Sequence, residues 1–197
     1  MRIIGGKHRG TVLAAPGAAG GGEAHLRPTS DRTRESLFNL LAHGAMTLPG
    51  GAIPPHGARV LDLFAGTGAL GFEALSRGAA RVHFVDDSAA SRALIRENAE
   101  KLHATGATKI WKRDATGLGA WTAAAHDLVF LDPPYGKGLG ERALASALAG
   151  GWIADGAIVV WEERSGVPIT PPAGAMIVDQ RAYGEATIRI FRQSVAP

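Results

Sequence analysis

Short apolar runs alternate along most of the chain with longer segments in which apolar residues recur at helical spacing. The helical segments begin at Ala69 and also cover residues 88–102 and 139–148. Alternation of this kind predicts a parallel sheet covered by helices, an α/β fold. The five apolar runs, each predicted to be a strand, are residues 59–64, 81–85, 109–112, 127–131 and 157–161.

Both ends of the chain depart from this alternation. Residues 176–183 and 186–192 predict an antiparallel hairpin near the carboxyl end. Residues 2–4 and 11–13 predict a short hairpin at the amino end, and a helix follows with Thr29 or Ser30 as its N-cap. The sequence therefore divides into an N-terminal extension, 1–48, a linker, 49–57, and a main domain, 58–197.

The first predicted strand runs into a glycine-rich turn that leads to a helix. Gly66, Gly68 and Gly71 permit a tight turn, contact of a ligand with bare backbone, and close packing of the helix on the sheet. Asp86 ends the second strand 20 positions after Gly66, a spacing that suits a carboxylate gripping ribose hydroxyls. Asp62, inside the strand end, could hold an ammonium group rather than a pyrophosphate. The pattern indicates a nucleotide-type cofactor site, although such a turn also occurs as plain packing.

Four aspartates fall at the carboxyl ends of predicted strands. In an open α/β sheet, ligands bind at that edge, so a shared site is predicted there. A single aspartate at such a place could be a helix cap, and for Asp114 this alternative stays open. The four residues are Asp62, Asp86, Asp114 and Asp132.

The last of these aspartates begins the stretch Asp132-Pro133-Pro134-Tyr135, whose chemistry suits an amine on an aromatic ring. Such an amine is a poor nucleophile because its lone pair is delocalised into the ring. The Asp132 carboxylate and the Pro133 carbonyl would accept its N–H groups, and the prolines stiffen the backbone that aims these acceptors. Tyr135 offers a face on which a base could stack. Together with Asp62, this stretch predicts S-adenosylmethionine rather than a nicotinamide as the cofactor.

Composition removes several classes of function. The 197 residues suit one domain and contain no cysteine, which excludes disulfides, thiolate metal sites and cysteine nucleophiles. The seven histidines are scattered without ligand spacing, so no metal is expected. No apolar run approaches the ~20 residues that cross a bilayer, so we expect a cytoplasmic protein without a membrane partner. Nothing in the sequence demands more than a monomer.

Positive charge is concentrated at the amino end of the chain. The net charge is +3, yet residues 1–34 contain six basic residues against two acidic ones, Glu23 and Asp31. Such an excess is expected of a surface that docks nucleic acid, although ordinary solvated surfaces also show it. The six basic residues are Arg2, Lys7, Arg9, Arg27, Arg32 and Arg34.

These motifs resemble those of the Rossmann-like S-adenosylmethionine methyltransferases that modify exocyclic amines through an Asp/Asn-Pro-Pro-aromatic motif. More closely, the chain is similar to the bacterial 16S ribosomal RNA guanine-N2 methyltransferases, which add a short basic N-terminal extension to this domain. The resemblance implies a seven-stranded sheet with its last strand antiparallel, and bound S-adenosylmethionine. It also implies one guanine of 16S RNA, in the small subunit or an assembly intermediate, as the substrate. The stretches that carry the resemblance are residues 2–10, 26–39, 62–78 and 132–136, with Tyr183 and Gly184.

The resemblance also implies roles for single residues. Asp132, Pro133 and Tyr135 would hold the target amine and its ring. Asp62, Gly66 and Gly68 would line the methionine side of the cofactor. The remaining cofactor contacts would come from Phe64, from Asp86 or Asp87 at the ribose, and from Asp114 with Ala115 at the adenine.

The chain departs from the family pattern at the end of the second strand. The family usually has Glu at position 86 and an Asp-Arg pair soon after, whereas this chain reads Asp86-Asp87-Ser88. Either Asp86 or Asp87 could therefore be the residue that reaches the ribose.

Other functions are compatible with parts of the sequence. The spacing Gly66-x-Gly68-x-x-Gly71 also suits a nicotinamide-dependent oxidoreductase, which would leave the Pro-Pro-Tyr stretch and the basic end unexplained. A non-catalytic RNA-binding or assembly factor would not need an intact Asp132-Pro133-Pro134-Tyr135. Transfer to adenine N6 in DNA or RNA stays open, whereas glutamine methyltransferases that resemble this chain carry Asn in place of Asp132.

Overall fold

A computed structural model of the protein describes residues 1–16 and 30–194. Within these residues, no helix is both long enough and apolar enough to cross a membrane. The helices are α1 (Asp31–His43), α2 (Ala69–Ser76), α3 (Ala89–Lys101) and α4 (Leu139–Ala149). The strands are β1 (Arg59–Leu63), β2 (Arg81–Val85), β3 (Thr108–Trp111), β4 (His126–Leu131), β5 (Ile153–Arg164), β6 (Ala175–Tyr183) and β7 (Ala186–Gln193).

All of these strands belong to one sheet, in the order β3-β2-β1-β4-β5-β7-β6. Strands β1 to β5 pair in parallel, and β7 lies antiparallel between β5 and β6. The predicted seven-stranded sheet with its last strand antiparallel is confirmed. The strand order reverses at β1, which has β2 on one side and β4 on the other, and sheets of this type bind ligands at the carboxyl end of such a switch point.

A separate hydrophobic cluster covers each face of the sheet. Successive residues of β1 point to opposite faces, so Val60 belongs to one cluster and Leu61 to the other. Helix α1 lies on the first face, where Phe38 packs against Phe130 of β4 with ring centroids 5.7 Å apart. The N-terminal extension therefore shares a hydrophobic core with the sheet, and the boundary at residues 49–57 remains a prediction from the sequence.

Two buried side chains hold the N-terminal extension on the helices beneath it. The Glu73 carboxylate on α2 accepts the backbone N–H groups of residues 4–5, each across 2.8 Å. On α3, Asn98 Oδ1 accepts the N–H of Ala14 across 2.6 Å, and Asn98 Nδ2 donates to the carbonyl of Thr67 across 3.0 Å. Asn98 thus connects the extension directly to the glycine-rich turn.

The hairpin predicted at the amino end is shorter than expected. Its arms form one isolated bridge, between Arg2 and Val12, and a 3₁₀ turn over Gly6–His8 forms the tip. The reason is that the N–H groups of residues 4–5 point to Glu73 instead of across the hairpin.

Helix α1 begins where the sequence predicts. The Ser30 hydroxyl accepts the N–H of Thr33 across 3.1 Å, which makes Ser30 the N-cap. The alternative cap, Thr29, lies outside the described residues. Farther along α1, the Ser36 hydroxyl hydrogen-bonds the Tyr183 hydroxyl across 2.8 Å. Because Tyr183 ends β6 at the carboxyl edge of the sheet, the first turns of α1 lie at that edge.

Candidate active site

Five acidic side chains meet at the carboxyl ends of β1, β2, β4 and β5. Asp62, Asp86 and Asp132 are predicted there from the sequence, and Glu162 and Glu163 of β5 join them. Burial is the main cause that raises the pKa of Asp62 to about 8 and also raises the pKa of Asp86 and Asp132. Nearby carboxylates add to each shift, so this edge favours a cationic ligand over an anionic one.

The glycine-rich turn has a left-handed backbone at several positions. The φ angle is +57° at Gly66 and +77° at Gly68, which precedes α2. Phe64 also has a positive φ, of +58°, a conformation that is strained for a residue with a side chain. At Gly71, a Cβ atom would lie 2.4 Å from the Phe84 ring, so glycine is what allows α2 to pack this closely on β2.

Asp62 is buried beside this turn. Its Oδ2 accepts the backbone N–H of Gly71, in the first turn of α2, across 3.0 Å. In dinucleotide sites the free N–H groups at a helix N-terminus bind pyrophosphate, whereas here a carboxylate of the protein takes one of them. Burial raises the pKa of Asp62, and a nearby cation would favour the charged form of this carboxyl group.

Asp86 ties the end of β2 to the glycine-rich turn. Its Oδ2 accepts the N–H of Gly66 across 2.8 Å, and its Oδ1 accepts the N–H of Ser88 across 2.9 Å. Asp87 is exposed. Of the two candidates for the ribose contact, Asp86 is therefore the one that the structure holds against the turn.

Asp114 forms a cap for a 3₁₀ turn over Ala115–Gly117. Its Oδ1 accepts both the N–H and the hydroxyl of Thr116, each across 2.8 Å, and these hydrogen bonds lower the pKa of Asp114. The capping role that the sequence leaves open for Asp114 is thus present. A contact of Asp114 or the buried Ala115 with adenine stays a prediction.

The stretch that begins with Asp132 follows β4 and faces β5. The Tyr135 hydroxyl donates to Oε1 of Glu162 across 2.5 Å. Burial raises the pKa of Asp132 well above the ordinary value, and the charges of Glu162, Asp62 and Glu163 raise it further.

No sequence motif singles out Glu162 or Glu163. Glu163 is buried, and its Oε1 accepts the N–H of Gly136 across 3.1 Å, which fixes the backbone that follows the buried Pro133. Both acids directly follow Trp161, the end of the fifth apolar run. The strand-end rule that selects the four aspartates would therefore have found them.

The basic residues of the extension divide into two groups. Arg34 is buried, with 1% of its surface exposed, and its guanidinium donates to the Arg2 carbonyl across 2.7 Å and to Asp31 across 2.8 Å. The prediction that Arg34 contacts RNA is therefore contradicted, because helical periodicity places it on the same buried stripe as Leu37 and Leu41. Arg27 lies outside the described residues. The other four are exposed: Arg2, Lys7, Arg9 and Arg32.

The sheet order, its one antiparallel strand and the glycine turn at its carboxyl edge define the Rossmann-like methyltransferase fold. The solved structure of the Escherichia coli protein yhhF matches 100% of this chain and 99% of its own, with a TM-score of 0.79 and 34% identity. TrmN from Thermus thermophilus is 22% identical and covers 83% of this chain and 48% of its own. Its TM-score of 0.63 shows a shared fold.

The chain belongs to the family described as Conserved hypothetical protein 95, whose model matches residues 1–192. One relative is Ribosomal RNA small subunit methyltransferase D of Escherichia coli (strain K12), which is 37% identical over 98% of this chain and 90% of its own length. The protein of the same name from Haemophilus influenzae is 31% identical over 98% of this chain and 93% of its own.

Proposed function

We propose that this protein transfers the methyl group of S-adenosylmethionine to the exocyclic N2 of a guanine in 16S ribosomal RNA. The observation that carries the proposal is the parallel pairing of β1 with β4, in which Leu63 lies opposite Leu131, so that Asp62 and Asp132 lie at neighbouring strand ends on the carboxyl edge. An amine-holding stretch beside a cofactor turn is the arrangement that methyl transfer to nitrogen requires. Similarity to small-subunit rRNA methyltransferases over nearly the whole chain supports this reaction and this substrate.

The carboxyl edge suits S-adenosylmethionine better than a nicotinamide cofactor. S-adenosylmethionine carries a sulfonium and an ammonium group, and positive charge would stabilise carboxylates that burial and mutual repulsion destabilise. The pyrophosphate of a dinucleotide would instead meet Asp62 and Asp86, which repel it. Asp86 is assigned to the ribose, because Asp87 is exposed. The other contacts are assigned to Asp62, Phe64, Gly66, Gly68, Asp114 and Ala115.

Asp132, Pro133 and Tyr135 are assigned to the target base. When bound, the cofactor supplies an electrophilic methyl group on a sulfonium. The Asp132 carboxylate and the Pro133 carbonyl accept the N–H groups of the amine and draw its lone pair out of conjugation with the ring. Tyr135 stacks on the base. Asp132 takes the proton as the new bond forms, because a neutral aromatic amine is too weak an acid to give it up beforehand.

The RNA is assigned to the exposed basic residues of the extension, which would contact its phosphates. Asn98 hydrogen-bonds both this extension and the glycine-rich turn, so one side chain holds the proposed RNA surface and the cofactor turn together. The partner in this proposal is the small ribosomal subunit or its assembly intermediate in the cytoplasm, bound by a single copy of the chain.

Methyl transfer from labelled S-adenosylmethionine tests the proposal. Deproteinised 16S RNA and 30S particles, each lacking the modification, would serve as substrates, and mass spectrometry would locate the product. We expect one N2-methylguanosine per RNA with wild-type protein and none with Asp132→Ala. Methylation of adenine or of protein would contradict the assigned substrate. Tight binding of NADH without binding of S-adenosylhomocysteine would contradict the assigned reaction.

A further inference from the structure

We propose that Glu73 and Ser76 of α2 are positioning residues for the RNA substrate. Their side chains hold the backbone of residues 4–8 on the helix, so that Lys7 and Arg9 meet the RNA phosphates from a basic tip, residues 6–9, that is already ordered in the free protein. This inference rests on the proposed function, which assigns these two charges to RNA, and it adds the residues that set where the charges lie.

The first observation is the way Glu73 binds the backbone just before the basic tip. Its Oε2 accepts the N–H of Ile4 and its Oε1 accepts the N–H of Gly5, each across 2.8 Å. The Nε of Arg77, one turn farther along α2, donates to the same Oε1 across 2.7 Å. Glu73 is fully buried, so its carboxylate depends on these donors for the hydrogen bonds that water would otherwise supply. Both of its oxygens are thereby fixed, and with them the direction in which the chain enters the tip.

Ser76 holds the basic tip at both ends. Its hydroxyl donates to the carbonyl of Gly5 across 2.5 Å and accepts the N–H of His8 across 2.9 Å. The N–H of Arg9 then closes the turn on the carbonyl of Gly6 across 3.3 Å. The turn over Gly6–His8 is thus closed within itself and tied on either side to one buried side chain.

Gly6 places the basic tip directly on the backbone of α2. Its φ angle is +75°, and a Cβ atom there would lie 1.8 Å from the carbonyl oxygen of Ser76. Gly10, just past the tip, has a similar φ of +88°, but a Cβ atom there would meet nothing within 4 Å. The contact at Gly6 therefore leaves the turn no room to shift toward the helix.

Hydrophobic packing of the extension does not account for these contacts. Ile3 and Leu13, on either side of the basic tip, are buried in the core and hold the extension on the sheet, whereas the turn over Gly6–His8 buries no residue. Burying a carboxylate to hold an exposed turn adds little net stability, because the cost of desolvation offsets the hydrogen bonds. It does fix the backbone that carries two exposed cations, Lys7 and Arg9.

An ordered tip favours the docking of RNA in two ways. Ordering a backbone costs conformational entropy, and a backbone that is ordered before binding avoids that cost when the RNA docks. The basic tip also keeps a constant distance from the cofactor turn, because α2 begins directly after Gly68 and its eight residues rise about 12 Å. A phosphate bound at the tip would therefore lie at a fixed distance from the carboxyl edge, where the methyl group is transferred.

Substitutions of two glycines separate the placement of the basic tip from its charge. Gly6→Ala displaces the tip from α2 and keeps every charge. Gly10→Ala is the matched control, because it adds the same methyl group at a similar φ in open space. The double variant Lys7→Gln, Arg9→Gln removes the charges and keeps the backbone contacts.

Two further variants act on the side chains that hold the tip. Ser76→Ala removes the hydroxyl, and Glu73→Gln replaces one carboxylate oxygen with an amide nitrogen that cannot accept an N–H group. For every variant, filter binding would give the affinity for 16S RNA across a salt series, and methylation of 30S particles would give kcat and KM. Calorimetry with S-adenosylhomocysteine and urea unfolding would report on the cofactor site and on stability.

We expect Gly6→Ala, Ser76→Ala and Glu73→Gln each to weaken RNA binding and to raise KM roughly tenfold, the effect of ordering about one more residue on binding. Because the charges remain, the slope of log K against log salt concentration should keep its wild-type value in these variants. The charge variant should reduce that slope. In all of the variants kcat and the affinity for S-adenosylhomocysteine should change little, and Gly10→Ala should bind RNA like the wild type.

The inference is overturned if Gly6→Ala and Ser76→Ala bind RNA as Gly10→Ala does, and a loss of stability alone would make Glu73 and Ser76 purely structural. A reduced salt slope in Gly6→Ala also overturns it, because phosphate contacts would then be lost rather than ordered by the RNA. If Gly6→Ala or Glu73→Gln does not fold, Ser76→Ala decides alone. RNA binding that depends on the tip, in a wild type that methylates no guanine, would contradict the proposed function and leave the positioning role standing.

Discussion

The backbone N–H of Gly66 donates to Oδ2 of Asp86 across 2.8 Å, so the acid that ends β2 holds the glycine-rich turn that follows β1. Asp87, the next residue, is exposed. We therefore expect Asp86→Ala to weaken S-adenosylhomocysteine binding by roughly 10- to 100-fold, the effect of losing hydrogen bonds to a charged group. Asp87→Ala should leave the affinity nearly unchanged. Isothermal titration calorimetry measures both, and equal losses would contradict the assignment of Asp86.

Asp132→Ala should lower the activity of the protein and raise its stability. We expect kcat to fall by at least about 100-fold, because the acceptor of the amine proton is lost. Affinity for S-adenosylhomocysteine should change little. The melting temperature of the ligand-free protein should rise, since the substitution removes a carboxyl group on which Glu162, Asp62 and Glu163 act unfavourably. Near-normal turnover would show that Asp132 is not the catalytic acid–base residue.

The sequence predicts the part of this site that is formed by acidic residues at the ends of apolar strands. Asp62 lies near the end of an apolar run, and Asp86 and Asp132 each directly follow one, so the rule for parallel sheets places them at one edge. Glu162 directly follows the apolar run that ends at Trp161, so the same rule also places it at this edge, on a strand that continues to Arg164. Its partnership with Tyr135 depends on the register between β4 and β5, which is a tertiary property.

Arg34 shows a second limit of reading the sequence. Its charge suggests an RNA contact, but its spacing from Phe38 and Leu41 places it on the buried side of α1. Charge composition does not distinguish the two faces of a helix, whereas periodicity does. A rule that applies periodicity before charge would have kept Arg32 and rejected Arg34.

The difference between exposed and buried basic residues of the extension gives a prediction for RNA binding. Replacing the exposed Arg2, Lys7 and Arg9 with Gln should weaken binding to 16S RNA and reduce the slope of log K against log salt concentration, by up to ~0.7 for each phosphate that the variant no longer neutralises. Arg34→Gln should instead destabilise the fold. Filter binding across a salt series and urea unfolding distinguish these outcomes. An unchanged salt slope in the triple variant would remove the extension from the RNA surface.

Asn98 gives a prediction for stability. Asn98→Ala leaves the N–H of the half-buried Ala14 and the carbonyl of the buried Thr67 without their side-chain partner. We expect the free energy of unfolding to fall by about 2–4 kcal/mol, from one or two unsatisfied buried groups. Asn39→Ala, on the exposed side of α1, is the matched control and should change it by less than about 0.5 kcal/mol. Urea unfolding measures both, and similar losses would contradict a specific role for Asn98.

His83 and His126 give a prediction for pH. His126 Nδ1 lies 2.7 Å from the Trp152 carbonyl, which only accepts, so this nitrogen carries the proton of the neutral ring. His126 Nε2 then accepts from Nδ1 of His83 across 2.9 Å. Burial is the main cause that lowers the pKa of His83 to about 4 and also lowers the pKa of His126. In the folded protein both rings are therefore neutral at pH values where the unfolded chain binds protons.

The sign of the effect follows from this difference in bound protons. Above the ordinary histidine pKa of about 6.5, neither state is protonated and the contribution to stability is complete. As the pH falls from there toward about 4, the unfolded chain gains protons that folded His83 does not, so the free energy of unfolding decreases. Urea unfolding at several pH values should show a flatter decrease for the double variant His83→Gln, His126→Gln than for the wild type. His43→Gln, which removes an exposed histidine at the end of α1, is the matched control and should follow the wild type. The carboxylates are the same in all three proteins, so a difference in slope reports on the histidines. A double variant with an unaltered pH dependence would mean that the pair does not stay neutral in the fold.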